Sequence, residues 1–137
     1  MPFSEMSVLS EEFAQCVAHQ TDKIVFITDR EKVIAAAGDG LKGIVGKEIS
    51  HSLERILDDR DESLPLAERS RFIPVVEGMD GADEVKKVEQ VRQMIRSNGQ
   101  IIGSIIIQSK DPKYKVGEFE KKVAMVAAEF LGKQITI

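Results

Sequence analysis

The sequence predicts an α/β fold of the α+β kind, with a mostly antiparallel sheet and a helix at each end of the chain. Three observations predict it: a short β-branched hairpin near the start, the dipeptide Asn98-Gly99 between two strand-like segments, and a long final helix with two apolar stripes. Strands joined by tight turns lie antiparallel, so both hairpins indicate an antiparallel sheet. The 137 residues correspond to one domain, residues 1–137, which can bury a core without disulfides.

The first part of the chain predicts a helix followed by a hairpin. Ser10 and the two glutamates after it offer a capping hydroxyl and negative charge at a helix start, and the helix is placed at about residues 7–19. Its expected inward face comprises Leu9, Phe13, Cys16, Val17 and Gln20. Residues 23–28 and 33–37 flank a polar turn, which predicts a hairpin whose first strand is buried on both sides.

The middle of the chain predicts a glycine-rich connection, a short helix and an edge strand. Glycines punctuate residues 38–46, and Ser50 or Ser52 is expected to cap a helix with Leu53 on its apolar side. Residues 72–76 (FIPVV) have the composition of a strand, and the proline inside them places that strand at an edge or a bulge.

A second, longer hairpin is predicted around Asn98-Gly99. The apolar spacing of residues 85–95 by itself favours a helix. Asn-Gly, however, is the strongest signal for a type I′ turn, and the β-branched run 100–108 needs a strand on each side. We therefore assign residues 89–96 to a strand that pairs with residues 100–108.

The final helix, at about residues 118–135, is apolar on two faces. Such a helix must be covered twice, once by its own sheet and once by another helix or a second subunit. We therefore predict a homo-oligomer, at least a dimer, that assembles through the terminal helices. The expected interface residues are Phe13, Val17, Val123, Ala124, Ala128 and Leu131.

One glycine motif suggests nucleotide binding, but its context argues against it. Gly38, Gly40 and Gly43 fit the pattern G-x-G-x-x-G after a strand. That strand is the return arm of a hairpin, and no second strand follows to carry a ribose-binding acid. We interpret the segment as a structural connection.

No catalytic or metal-binding constellation is found in the sequence. The acidic run 58–62 lacks the spacing of a calcium loop, and His19 and His51 have no ligand partners at suitable spacing. Cys16 is the only cysteine, and its place on the first helix predicts a packed, inert thiol. The sequence therefore predicts no metal, no cofactor and no enzymatic activity.

Charge and hydropathy argue against two classes of partner, nucleic acids and membranes. The net charge is −4, there is no tryptophan, and no basic block could follow a phosphate backbone, so we expect no direct binding of nucleic acid by this chain. Neither a signal peptide nor an apolar run of membrane-spanning length is visible. We expect a cytoplasmic protein without membrane contact.

Several segments resemble, in order, the C-terminal domain family of stage V sporulation protein T. They are IVFITDREKVIAAAGDG, GKEIS, NGQIIGSIIIQSKDP and GEFEKKVAMVAAEFLGKQ. The resemblance implies a GAF-like fold, with the N- and C-terminal helices packed on one face of the sheet and a potential small-molecule pocket on the other. It also implies a transcription regulator of endospore formers whose sensor domains assemble through the terminal helices. In that family a separate N-terminal domain binds DNA, and we expect it to be absent from this chain.

The function expected from these observations is regulatory: a sensor domain that binds an unknown small-molecule effector and forms oligomers. Fold analogy places five residues near the pocket, namely Thr28, Ala36, Leu53, Arg55 and Arg92. Arg92 would meet an anionic effector if it points to the pocket side. The alternatives are a ligand-free GAF dimerisation module and a small GAF-type enzyme such as a free-methionine sulfoxide reductase. That chemistry needs several pocket cysteines, and a lone Cys16 argues against it.

Overall fold

The computed structural model describes residues 6–38, 41, 43–58, 72–78, 88–111 and 113–135. Within these ranges lie three helices and four strands. In chain order they are α1 (Ser7–Thr21), β1 (Ile24–Thr28), β2 (Val33–Ala37), α2 (His51–Asp58), β3 (Gln90–Ser97), β4 (Gln100–Gln108) and α3 (Glu118–Lys133). The strands form one antiparallel sheet in the order β2-β1-β4-β3, which confirms the predicted fold class.

Both predicted hairpins are present, and turn chemistry accounts for each. Between β1 and β2, the Asp29 carboxylate accepts hydrogen bonds from the backbone N–H groups of Glu31 and Lys32 at 2.7 and 2.8 Å. Between β3 and β4, Asn98 and Gly99 adopt φ values of 52° and 78°, as a type I′ turn requires. The strand before this turn is confirmed, and it spans 90–97, shifted by one residue from the predicted 89–96.

The sheet separates two apolar clusters. Helices α1 and α3 cover one face, which we call the helical face, where β1 and β4 contribute Val25, Ile27, Ile105 and Ile107. The opposite face, which we call the distal face, is covered by α2 and its neighbouring segments through Ile44, Ile49, Leu53, Leu57, Val75 and Val76. The prediction that both terminal helices lie on one face is confirmed.

Helix α3 approaches the sheet most closely at Gly132. A Cβ atom built on this glycine would lie 2.1 Å from the carbonyl oxygen of Arg96 in β3. No real side chain tolerates that separation from a backbone atom, so only glycine allows the helix to lie this near the strand. The resulting contact fixes the end of α3 against the edge strand.

Helix α1 starts where predicted but differs from the prediction in the role of Ser10 and in the face that it buries. It begins at Ser7, so Ser10 lies inside the helix, where its hydroxyl is fully buried and has no partner among the described residues. The buried positions are Ser10, Ala14, Val17 and Thr21. Cys16 lies about 100° around the helix from Val17 and is exposed, as is Gln20. The predicted packed thiol is therefore wrong, because the buried stripe is one residue out of register with the predicted face.

Helix α2 begins as predicted, but residues 72–76 do not form a strand. The Ser50 hydroxyl accepts a hydrogen bond from the N–H of Leu53 at 3.1 Å and thus caps the helix. It also donates to the carbonyl of Pro74 at 2.6 Å, while the Ser50 N–H donates to the carbonyl of Val75 at 2.7 Å. These carbonyls hold the start of α2 instead of pairing with a strand, and Pro74 has no N–H to offer one.

The predicted oligomer residues need a correction. Val17, Ala124, Ala128 and Leu131 are at most 5% exposed and lie in the cluster between the helices and the sheet. They are enclosed within a single chain, so they cannot contact a second copy while the fold is intact. The other two predicted residues, Phe13 and Val123, are partly buried at the edge of that cluster. The error arose because the sequence shows that α3 is apolar on two sides, but not which side meets the sheet.

Candidate functional site

The distal face carries most of the polar side chains of the sheet. Alternate residues of a strand point to the same face, so the register defines which side chains lie there. They are Phe26 and Thr28 from β1, Ser104, Ile106 and Gln108 from β4, and Gln90, Arg92 and Met94 from β3. Polar and apolar side chains are thus mixed on this face, whereas the central strands β1 and β4 present only apolar side chains to the helical face, where Gln93 of the edge strand β3 is a polar exception.

Gln90 is the centre of a buried amide network on β3. Its side-chain NH₂ group donates to the carbonyl of Ile73 at 2.9 Å and to the amide oxygen of Gln108 at 3.1 Å. Its own amide oxygen accepts from the N–H of Ile73 at 3.3 Å and from the Arg92 guanidinium at 2.7 Å. The Gln90 side chain therefore binds both the N–H and the carbonyl of Ile73. These hydrogen bonds take the place of the strand pairing that the sequence predicted for this segment.

Arg92 places a positive charge on this face. Its side chain lies between polar Gln90 and apolar Met94 on the same strand, and it is half-buried. Burial lowers the pKa of Arg92 to about 10, because removal of water disfavours the charged guanidinium. That value is still well above 7, so the group stays protonated at neutral pH. The distal face consequently presents a partly desolvated cation.

Thr28 and Ser104 form a second polar element, towards the other end of the same face. They are cross-strand partners on β1 and β4, and both are fully buried. Their hydroxyl oxygens are 2.7 Å apart, a normal distance for an O–H···O hydrogen bond. Met94 of β3 and Val33 of β2 lie opposite them in register, so the hydroxyl pair is flanked by apolar side chains.

The structure brings together four of the five residues that the sequence placed near a pocket. Thr28 and Arg92 lie on the distal face, Ala36 packs at the edge of its cluster, and Leu53 of α2 covers it from above. Arg55 is exposed on α2 instead. These positions agree with the predicted side of the sheet, while binding itself stays a prediction.

Sequence reasoning missed Gln90, Ser104 and Gln108. A signal for them exists in the strand period, because Gln90, Arg92 and Met94 alternate on β3 as Ser104, Ile106 and Gln108 do on β4. The alternation could be used only once the register was known. A shift of one residue would have moved all six side chains to the helical face.

The described residues can be compared with the requirements for metal binding, for histidine chemistry, for nucleotide binding and for a membrane-spanning helix. Among the described residues, no group of three or more His, Cys, Asp or Glu side chains could hold a metal ion. His19 and His51 are exposed. Gly38 and Gly43 have positive φ values of 124° and 70°, while Gly40 of the glycine motif lies outside the described residues. In the part of the chain that the structure describes, no helix has the length and apolarity needed to cross a bilayer.

This architecture is that of a GAF domain. The fold is similar to that of the cofactor-binding GAF domain of the nutrient sensor CodY from Clostridium difficile. The two structures align with a TM-score of 0.65 and 13% identity, over 92% of this chain and 83% of the CodY domain. A type II free methionine-R-sulfoxide reductase from Thermoplasma acidophilum also has a similar fold, with a TM-score of 0.59 and 14% identity over 96% of this chain and 93% of that one. The inducer-binding domain of the transcription factor PobR from Acinetobacter aligns with a TM-score of 0.55 and 13% identity over 92% of this chain and 96% of that one. At these identities the likeness shows the fold alone.

Sequence comparison then gives the family. Residues 5–136 match the family described as the stage V sporulation protein T C-terminal domain, a transcription factor. The chain is also 34% identical over 134 residues to stage V sporulation protein T of Bacillus subtilis (strain 168), which covers 98% of this chain and 71% of that protein. The chain belongs to this family of transcription-factor domains, as the resemblance in the sequence implied.

Proposed function

We propose that this chain is a regulatory sensor domain that binds a small anionic effector on the distal face of its sheet. The observation that carries the proposal is the partly desolvated charge of Arg92 beside the apolar cluster of that face. A guanidinium that is partly removed from water loses part of its hydration, and an anion bound beside it would compensate for that loss.

Arg92 has the chemistry to hold a carboxylate or a phosphate. A guanidinium carries five N–H donors in a planar fork, so it can keep its bond to Gln90 and still form hydrogen bonds to an anion. The low polarity around it strengthens that attraction relative to water. The effector is thus expected to combine an anionic group with an apolar body that contacts Phe26, Ile106 and Leu53.

Strands β1 and β4 contact both faces of the sheet, so a change at the effector site can alter the packing of α1 and α3. Strands β1 and β4 turn Phe26 and Ile106 towards the distal face, and turn the neighbouring Ile27 and Ile105 towards α1 and α3. An effector would act by binding one arrangement of the helices more tightly than another, since only a difference in affinity shifts such an equilibrium. Two fold neighbours support this use of the fold, because their names describe a cofactor-binding GAF domain and an inducer-binding domain.

The test is a binding screen by thermal unfolding and calorimetry with phosphate and straight or branched carboxylates of two to six carbons. A ligand at a hundred times its Kd stabilises the native state by about 2.7 kcal/mol, which raises Tm measurably. Arg92→Met is expected to weaken binding more than tenfold, and Arg92→Lys less. Arg96→Met, which removes an exposed charge from the same strand, controls for general electrostatic attraction. Binding that survives Arg92→Met unchanged would contradict the proposal.

We further propose that two copies associate through an exposed apolar stripe on α3. Phe119, Val126 and Phe130 are 57%, 64% and 41% exposed, and with Val123 they follow the 4-3-4 spacing of a helix–helix seam. Phe130 stacks on Phe13 of α1 with ring centroids 5.1 Å apart, so the stripe continues onto the first helix. This stripe replaces the buried residues that the sequence suggested for the interface.

A pair of neighbouring substitutions tests the stripe. Val126→Glu places a charge in its centre and is expected to make the protein monomeric by light scattering at tens of micromolar. Met125→Glu is the matched control, because Met125 is exposed but lies about 100° around the helix. A wild-type monomer, or equal effects of both variants, would argue against the stripe.

A catalytic role is the weaker alternative. One fold neighbour is a free methionine-R-sulfoxide reductase, but this chain has one cysteine, and Cys16 lies exposed on α1, on the side of the sheet away from the distal face. We propose that the domain is not an enzyme and that DNA contacts lie outside it. Incubation with free methionine-R-sulfoxide and dithiothreitol is expected to give no methionine above the rate without protein.

A further inference from the structure

The Thr28–Ser104 pair contains one hydroxyl hydrogen more than its own hydrogen bond uses. Each hydroxyl carries one donor and two acceptor positions, so two hydroxyls that bond to each other leave one O–H to donate elsewhere. Among the described residues, neither hydroxyl has another hydrogen-bond partner. Both side chains are 0% exposed, so ordinary surface water does not satisfy that donor.

A fully buried, unused donor in the centre of a sheet is uncommon, because buried polar groups are nearly always paired. Valine and alanine would fill similar volumes at these positions without that penalty, and the next cross-strand pair on the same face, Phe26 and Ile106, is apolar. The pair therefore adds no stability that an apolar pair would lack, and it lies on the same face as the Arg92 cation. This combination indicates recognition of a ligand.

We propose that the Thr28–Ser104 pair donates its remaining O–H to a second oxygen atom of the effector. The inference rests on the proposed function, in which Arg92 binds the anionic group. Arg92 lies opposite Ile106, two residues along β4 from Ser104, a separation of about 7 Å along the strand. The effector class is thus a small carboxylic acid whose apolar chain separates the carboxylate from a carbonyl or ether oxygen.

Met94 is the side chain that can give such a ligand access to the hydroxyls. It lies directly across from Ser104 in the register, is only partly buried, and packs at the margin of the distal-face cluster. Methionine has three flexible side-chain bonds and adapts its shape at little cost. Its movement would uncover the pair without any change in the strands.

The experiment compares 5-oxohexanoate with 5-methylhexanoate, in which a methyl group replaces the acceptor oxygen. Affinity is measured by calorimetry on the wild type and on the double variant Thr28→Val/Ser104→Ala. The wild type is expected to bind the oxo acid about fivefold more tightly, the effect of one net hydrogen bond. The double variant is expected to bind both acids equally. Ser10→Ala, which removes a buried hydroxyl on the helical side, is expected to keep the fivefold preference.

The possible results separate this inference from the proposed function. If both acids bind with dependence on Arg92 but without preference for the oxo acid, the role of the hydroxyl pair is contradicted and the proposed function stands. A preference that persists in the double variant also contradicts it. If neither acid binds the wild type while another anion of the wider screen binds with dependence on Arg92, this inference is contradicted and the proposed function stands. A Tm of the unliganded double variant well below that of wild type would show a structural role for the pair and overturn the argument from stability.

Discussion

The two faces of the sheet differ in what their side chains do. On the helical face, Val25, Ile27, Ile105 and Ile107 are fully buried and pack on α1 and α3. On the distal face, strand residues in equivalent positions include Thr28, Ser104, Gln90, Arg92 and Gln108. A purely apolar cluster gains most from burial, while a mixed one carries desolvation costs. The helical face therefore supplies most of the stability, and the distal face is the one on which we propose that an effector binds.

The largest expected effect concerns the closest contact on the helical side. Gly132→Val should prevent stable folding, with a loss of more than about 4 kcal/mol, because its Cβ would meet the Arg96 carbonyl oxygen and α3 would have to move away. Urea unfolding followed by circular dichroism measures this. Gly117→Ala is the control, since a Cβ there has no neighbour within 4 Å, and it should cost less than about 1 kcal/mol. A folded Gly132→Val with normal stability would contradict the packing of α3.

The next prediction compares adjacent residues of β4 that point to opposite faces. Ile105→Ala should lower the free energy of unfolding by about 3 kcal/mol, because it leaves a cavity among fully buried side chains. Ser104→Ala should change it by less than about 1 kcal/mol, although Ser104 is equally buried, since it removes a hydroxyl and not packing volume. Equal costs at both positions would remove the distinction between the two faces.

A smaller effect, of opposite sign, is expected at Ser10. This hydroxyl is buried inside α1 without a partner among the described residues, and serine is a poorer helix former than alanine. Ser10→Ala should therefore raise the free energy of unfolding by about 1 kcal/mol. Thr21→Val is a useful comparison, because the Thr21 hydroxyl donates to the carbonyl of Val17 at 2.7 Å and its removal should not stabilise. A destabilised Ser10→Ala would mean that the helical side also keeps a needed polar group.

The smallest prediction concerns pH and the segment between β4 and α3. The hydrogen bond from Lys115, together with that from the N–H of Val116, holds the pKa of Glu89 below its ordinary value of 4.5. A lowered acid pKa stabilises the fold above the ordinary value, and this stabilisation is lost as the pH falls through the lowered pKa. Glu89→Gln should thus lower the free energy of unfolding at pH 7 by at most about 1 kcal/mol, and the difference should shrink as the pH falls below 4.5 and vanish below the lowered pKa. A difference that is independent of pH would contradict the ionic origin.

Local signals in the sequence were sufficient for most elements. Asn98-Gly99 specified the β3–β4 hairpin against the helical spacing before it, and Ser50 specified the start of α2. Residues 72–76 were misassigned because strand composition does not show whether a partner strand is available. Here the side chains of Gln90 and Ser50 take the backbone groups that a partner would have used.

The candidate site was less accessible to sequence reasoning. Fold analogy placed Arg92 and Thr28 near the predicted pocket, and the structure puts both on the distal face, yet their partners Gln90 and Ser104 depend on the register between strands. The same limit affected the interface. The amphipathic pattern of α3 does not show that Leu131 faces the sheet while Val126 faces outward, because both sides of the helix are apolar. The strand register and the orientation of α3 on the sheet depend on contacts between distant residues, which the local sequence pattern does not show.

The most direct test of the central claim is amide chemical-shift mapping of the ¹⁵N-labelled protein titrated with 5-oxohexanoate. If the effector binds on the distal face, the largest shifts should fall on Arg92, Met94, Ser104 and Thr28, and Arg92→Met should abolish them. Shifts confined to the exposed surface of α1 and α3, or shifts that persist unchanged in Arg92→Met, would contradict the account.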